Sequence, residues 1–390
     1  MVLCPGCAAS ALLFIVANAA CDTGVQSCRA RLLAIGPSRA PAAGVRSGVK
    51  PLFRRENIMA PSRRRFLHDS LAAVGGLALP HPVRTTAVAV EPSYLRLARQ
   101  GSLKKIEKDL WDILGACRLC PRACGADRLR GARGTCSSTA RLKVASHGPH
   151  FGEERPLVGR GGSGTIFFSN CNLLCCFCQN WEINHRGDGR FVDEVAVAEM
   201  MLDLQERGCH NINLVTPTHV APHIVKALRV AVDRGLRIPL VYNTGGYDNL
   251  EVIRALDGVV DIYLPDFKYQ DGALAAKYSS GAADYPEVAA AVIKEMHRQV
   301  GRLVLDERGV AVRGLIIRHL VLPQNIAGTD RFVRWVAREL TTDAYVNIMS
   351  QYRPEHRARE YPDLSRRITA QEWGQALAWA HAAGLTNLDT

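Results

Sequence analysis

From residue 164 onward the chain alternates short apolar runs with longer segments of helical period, and no other feature restricts its fold as tightly. The strand-like runs fall at 165–169, 211–215, 239–243, 261–265, 315–321 and 345–349. Between them, 192–207, 222–234, 249–256, 286–300 and 330–340 read as helices, and 369–383 reads as a last amphipathic helix stopped by Gly384. Strands separated by helices pair in parallel, because a parallel neighbour needs a long crossover. Six such units, where a closed barrel has eight, predict an α/β fold in the form of an open, partial TIM-like barrel.

A barrel of this kind gathers its chemistry at the C-terminal ends of its strands. Those ends are polar here. The second strand runs into Thr216-Pro217-Thr218-His219, the third into Asn243-Thr244-Gly245-Gly246 and the fourth into Asp266-Phe267-Lys268. The fifth carries Arg318-His319, and side-chain alternation allows only one of that pair to face the interior. The first strand leads into Cys171-Asn-Leu-Leu-Cys175-Cys-Phe-Cys178, a Cys-x3-Cys-x2-Cys spacing. Three thiolates on one loop can hold three irons of a [4Fe-4S] cluster and leave the fourth iron open to a ligand. The competing reading is a closed iron–sulfur or zinc site completed by Cys176 or Cys209.

A second group, Cys117, Cys120, Cys124 and Cys136, has the spacing Cys-x2-Cys-x3-Cys-x11-Cys. Four thiolates can close either a tetrahedral zinc site or a second Fe-S cluster. Seven of the 13 cysteines lie in these two compact groups, which is not how a disulfide framework is spaced. The expected organisation is a leader at 1–58, a signal-like segment at 59–90, a Cys4 metal-binding module at 91–145, the barrel at 146–355 and a C-terminal helical segment at 356–390.

Charge is unevenly spread. The chain carries +12 overall; residues 1–90 hold 11 Lys/Arg against 3 Asp/Glu, and residues 91–143 hold 12 against 5, so residues 144–390 sum to 12 − 8 − 7 = −3. The basic balance therefore says little about a substrate of the barrel. Nucleic acid is not favoured as a partner, since Trp111 is the only Trp or Phe among the basic residues 96–143. The apolar run 11–20 is too short to span a bilayer.

The Cys171/Cys175/Cys178 loop, with Phe177 before its third cysteine, resembles that of the radical S-adenosylmethionine (radical SAM) superfamily. The body, roughly 110–355, resembles the glycyl-radical-enzyme activases, of which the pyruvate formate-lyase activating enzyme is the best known. The resemblance extends to a branch of uncharacterised activase-like proteins with an N-terminal Cys-x2-Cys-Pro-Arg-x-Cys module. Asp266-Phe267-Lys268 stands where activases have Asp-Leu-Lys, and Asn243-Thr244-Gly245 resembles their Thr-Asn-Gly. Arg318-His319 through Pro323-Gln324 matches an Arg-x-x-x-Ile-Pro-Gly stretch. The Gly-Gly-Glu-Pro motif is absent, and Thr216-Pro217-Thr218 occupies its place.

The resemblance implies a [4Fe-4S] cluster on Cys171, Cys175 and Cys178 that binds and reductively cleaves SAM. It implies SAM contacts from among Asn213, Thr216, Asn243, Asp266, Lys268, Arg318 and His319. It implies a low-potential electron donor such as flavodoxin or ferredoxin, and a hydrogen-atom target on a glycyl-radical enzyme. A small molecule or a peptide is an alternative target. A non-enzymatic reading, a Cys4 binding module carried on a degenerate barrel, is opposed by the intact cysteine triad. Finally, Ser62-Arg63-Arg64-Arg65-Phe66-Leu67 resembles a twin-arginine export signal, which predicts a periplasmic or cell-envelope location and a translation start at Met59; the alternative is a basic leader with no signal in use, and a cytoplasmic protein.

Overall fold

The structure, a computed structural model, describes residues 90–390. Its ten strands are β1 (Lys143–His150), β2 (Ser163–Phe168), β3 (Arg190–Phe191), β4 (Ile212–Val215), β5 (Leu240–Thr244), β6 (Ile262–Pro265), β7 (Val304–Leu305), β8 (Ala311–Leu320), β9 (Tyr345–Met349) and β10 (Leu388–Asp389). β2, β4, β5, β6, β8 and β9 lie side by side in that order and pair in parallel. They are the six strands read from the sequence. The central β5 and β6 are buried along their whole length, which is why they read as nearly unbroken apolar runs. The sheet stays open, running from β10 at one edge to β3 at the other, so the fold is a partial barrel of α/β type.

Four strands depart from expectation. β1 pairs antiparallel with β2, β3 antiparallel with β1, β7 antiparallel with β8, and β10 parallel with β9. β1 crosses the expected boundary at 145, and β10 lies inside the segment expected to be helical. Both flanking segments thus supply strands to the same sheet.

The crossover helices form where expected and carry recognisable caps. Asp193 accepts the Ala196 amide at the start of Glu194–Glu206, Asn249 accepts that of Glu251 ahead of Leu250–Ala255, and Thr369 and Glu372 form a capping box at Ala370–Ala382. An unanticipated helix, Gly272–Tyr278, starts at Asp271, whose carboxylate accepts from Ala273 and Leu274.

At the N-terminal end of the described chain, the amide of Ser93 donates to Asp261 at the foot of β6, and the Tyr94 hydroxyl donates to the Ile238 carbonyl before β5. Helix Ser102–Asp112 then climbs the outside of the barrel against helix Ala221–Asp233, fixed by an Arg229–Glu107 pair at 2.9 Å and by Trp111 against His223. This delivers residues 117–136 to the end of the barrel where the functional loops sit. No helix among the described residues is long and apolar enough to cross a membrane. The leader at 1–58 and the arginine motif at 62–67 lie outside the described residues.

Candidate active site

The loops after the parallel strands enclose a cavity of about 230 Å³, lined by Cys171, Cys175 and Cys178 together with Thr216, Asn243, Asp266, Lys268 and Arg318. Connectivity alone predicts this convergence, since each of these residues follows or ends a parallel strand.

The cysteine loop makes a tight course. Asn170 and Leu174 both adopt positive φ, 77° and 53°, so the chain folds back on itself. Each sulfur has its own donor: Leu173 N to Cys171 at 3.4 Å, Ser279 Oγ to Cys175 at 3.1 Å, and Asn184 Nδ2 to Cys178 at 3.3 Å. Burial pushes the Cys171 thiol up to about 11 and that of Cys175 up to about 12, and it raises Cys178 as well. The ammonium of Lys268 opposes that shift at all three. Three thiols on one cavity, Cys175 buried and Cys171 and Cys178 half-buried, sharing one cation suit a group that binds them as thiolates, as an iron–sulfur cluster does.

Neither proposed fourth ligand is at hand. Cys176 is outside the cavity lining, its amide tied to Tyr278 O and its carbonyl to Arg357 N. Cys209 packs at the opposite end of β2, beside Gly164. The cavity thus offers three thiols.

Opposite the thiols lies a partly buried ion network. Lys268 Nζ meets Asp266 Oδ2 at 2.5 Å, and Arg318 Nε meets Asp266 Oδ1 at 2.9 Å. Arg318 also donates to Asn243 Oδ1 at 2.6 Å and approaches Glu153 at 3.6 Å. Burial alone would raise the Asp266 carboxyl, but Arg318 and Lys268 outweigh it and hold the group below the usual range. Burial would likewise lower Lys268, yet Asp266 holds it above its ordinary value. Both cations therefore stay charged beside the cysteines. The backbone reaches this arrangement through Gly246, at φ 77°, where a Cβ would stand 2.2 Å from the Asp266 carbonyl.

Below Thr216 lies a second polar group. Asp248 accepts from Thr218 Oγ1 at 2.7 Å, Thr244 Oγ1 at 2.6 Å and the Tyr242 hydroxyl at 3.0 Å. Thr216 itself has φ 60°, a costly conformation for a β-branched residue, at the place of the missing Gly-Gly-Glu-Pro stretch.

Two expected cofactor contacts lie elsewhere. His319 points away from the cavity, with Nδ1 on Phe267 O at 2.7 Å, Nε2 on Thr329 Oγ1 at 2.9 Å and its ring stacked on Phe332. Of the Arg318-His319 pair, only Arg318 faces the interior. Asn213 is too deep: its amide donates to Ser163 Oγ at 3.1 Å, beneath the cavity floor. Other contributors went unnoticed in the sequence. Asn172 lines the cavity, and Glu153 reaches Arg318 from the loop after β1. Asn172 was signalled by its place in the cysteine loop; Glu153 had no local signal.

The Cys4 residues are close to this site. Cys117, Cys120 and Cys136 are buried and Cys124 is exposed. Arg122, between them, donates to the carbonyls of Asn172 at 3.0 Å, Ser279 at 3.0 Å and Ser280 at 2.7 Å. Beside it lies a basic cleft lined by Arg133, Arg141, Lys143 and Arg186, with Asn170 and His185 from the cysteine-loop side.

The family described as "Radical SAM superfamily" matches residues 165–269, which run from β2 through the Asp-Phe-Lys segment. An uncharacterized protein, MJ0674, of Methanocaldococcus jannaschii is 34% identical over 286 residues, covering 70% of this chain and 77% of that protein. Among solved structures, TYW1 with a lysine-pyruvate adduct bound is similar at 11% identity, covering 56% of this chain and 73% of that one, with a TM-score of 0.37. Methylornithine synthase (PylB) is similar at 15% identity, covering 56% and 67%, also with a TM-score of 0.37.

Proposed function

Because the chain belongs to the radical SAM superfamily, we propose that Cys171, Cys175 and Cys178 hold a [4Fe-4S] cluster whose open iron takes S-adenosylmethionine. When bound, the cluster supplies the electron that splits SAM into methionine and a 5′-deoxyadenosyl radical, which removes hydrogen from a substrate. The observation that carries this reading is the single cavity shared by three thiols and the Lys268–Asp266–Arg318 network.

Lys268 and Arg318 are the residues for the SAM carboxylate. Both are charged, half-buried and held in place by Asp266. Asp266 has both oxygens engaged by these cations, so its role is to position them. Thr216 and Asn243 present hydroxyl and amide groups for the SAM ammonium and ribose.

The finer reading is an activase that acts on a glycine of a partner enzyme, supported by the Asp266-Phe267-Lys268 and Arg318 positions. The Thr216-Pro217-Thr218 replacement favours a target outside that group, a small molecule or a peptide. An acidic one-electron carrier of ferredoxin or flavodoxin type suits the basic cleft, which opens beside Asn170 and His185. The arginine motif at 62–67 supports export of the folded, cofactor-loaded protein.

The test is anaerobic reconstitution of the full chain with iron and sulfide, followed by a strong reductant, SAM and an assay for 5′-deoxyadenosine. Product that disappears in Cys175→Ala is expected. A loaded, reducible cluster that neither binds nor cleaves SAM would sink the reading.

A further inference from the structure

We infer that Cys117, Cys120, Cys124 and Cys136 hold a second iron–sulfur cluster, and that it passes the electron to the Cys171/Cys175/Cys178 cluster across Asn172. The role as a relay rests on the function proposed above; the presence of the second cluster does not.

An anionic group is required at this place. Arg128 is buried, and among the described residues no carboxylate pairs with it. Its guanidinium donates to His219 O at 2.8 Å and to Thr139 O at 2.8 Å, and stands 3.8 Å from Cys117 Sγ. His219, beside it, is neutral: burial and the Arg128 charge push it down to about 3. A buried cation without a counter-charge is costly. Four thiolates around a metal centre carry net negative charge and supply one.

The backbone is arranged for sulfur ligands. The amides of Ala126 and Thr135 donate to Cys124, and that of Arg122 donates to Cys120. At Gly134 a Cβ would stand 3.1 Å from Cys124 Sγ and 3.6 Å from Cys136 Sγ, so the glycine leaves room where the two sulfurs approach.

Four thiolates suit zinc and a four-iron cluster alike, so the choice between them rests on what surrounds the group.

Position assigns the role. Asn172 is buried between the two groups: its Oδ1 stands 4.0 Å from Cys171 Sγ, and its side chain also hydrogen-bonds Cys120. A second bridge runs from the Cys136 carbonyl through Ser138 Oγ to Asn170 Nδ2, next to Cys171. A purely structural zinc site has no need of such proximity. The basic cleft borders both groups, so a docked carrier meets the Cys136 side and the Cys171 side together. The electron count is simple. A low-potential ferredoxin- or flavodoxin-type carrier gives up one electron, the Cys4 cluster accepts it, and it is re-oxidised as the open cluster is reduced. No bond is made or broken in the relay.

The test uses the full chain isolated without oxygen, with iron and zinc quantified and the reduced protein examined by EPR. About eight irons per chain and no zinc are expected, and the C171A/C175A/C178A variant should keep about four irons and one reducible signal. One zinc with about four irons overturns the inference while leaving SAM cleavage intact. Failure of SAM to perturb any EPR signal sinks the proposed function instead, whatever the iron count. For the relay, Asn172→Leu should retain both clusters but slow reduction of the SAM-responsive cluster by reduced ferredoxin about tenfold or more. An unchanged rate with both clusters present overturns the relay.

Discussion

Asp266→Asn tests the electrostatic construction of the cavity. The carboxylate holds Lys268 at 2.5 Å and Arg318 at 2.9 Å, and all three groups are largely buried. The neutral amide leaves Lys268 without its carboxylate and Arg318 with Glu153, at 3.6 Å, as its remaining counter-charge. Breaking a buried pair in this way costs about 3–5 kcal/mol. A folded body of roughly 300 residues has an unfolding entropy near 0.6 kcal/mol/K, so the loss corresponds to a fall of about 5–8 °C in Tm. Anaerobic differential scanning fluorimetry on the cluster-loaded protein measures it. Because Asp266 is held below the ordinary carboxyl value, its stabilisation is fully present above the unfolded pKa of 3.8. It is lost as pH falls through the lower folded value, and the variant should lack that acid-side loss. Since Lys268 and Arg318 remain, SAM should still stabilise Asp266→Asn, whereas Lys268→Gln should lose most of that stabilisation. A variant with unchanged Tm and no SAM binding would refute the argument, because Asp266 would then be a ligand contact and not a scaffold for the cations.

Further outcomes follow from other positions. Thr216→Gly should raise stability by about 1 kcal/mol, because glycine adopts the φ of 60° without strain, and calorimetry reads the change. Arg122→Met removes the donor to three loop carbonyls and should cost about 2–3 kcal/mol while speeding amide exchange across 117–136, observed by hydrogen–deuterium mass spectrometry. Burial raises Asp261 to about 6 despite its bonds from Ser93 and Leu240, so the fold favours its protonated form. The native protein should therefore lose about 3 kcal/mol as pH climbs from about 4 to 6, and Asp261→Asn should flatten that slope in urea titrations at stepped pH.

The six parallel strands were legible because β2, β4, β5 and β6 are buried at nearly all positions and each of the six is separated from the next by a helix of clear period. β3, β7 and β10 were not, since strands of two residues have no period to read. β1 was hidden by its composition: Lys143–His150 mixes Lys, Ser, Gly, Pro and two His, and beyond Val144 it has no neighbour on its outer side, since β3 pairs only at Lys143 and Val144. The site divides in the same way. Cysteine spacing and polar strand ends identify the cavity, because both are local properties of the chain. Alternation leaves Arg318 or His319 facing inward but does not say which; Phe332 and Thr329, far from either in pattern, decide it by taking up the histidine. Asn213 has the parity of Val215, which lines the cavity, but pairs with Val241 and lies one layer lower, whereas Asn243 pairs with Val215 and reaches the cavity. Depth along a strand depends on register with its neighbours, which no single strand encodes.

The same register explains why the cations wait in place. Asp266 and Arg318 form an isolated bridge between β6 and β8, beyond the regular pairing of those strands at Tyr263 and Leu315. Two neighbouring strands thus present opposite charges at one level, and Lys268 closes the group from the loop above. Glu153, entering from the β1 side, meets the remaining face of Arg318. The line Lys268–Asp266–Arg318–Glu153 alternates in sign, so each buried charge has a partner before a ligand binds. A ligand carboxylate arriving at Lys268 and Arg318 does not order two mobile side chains; it shares cations already fixed by Asp266. That preorganisation favours a zwitterionic amino-acid group over a simple anion, since the carboxylate is welcomed by the cations while Asn243 and Asp266 keep the cavity from carrying a large net positive charge.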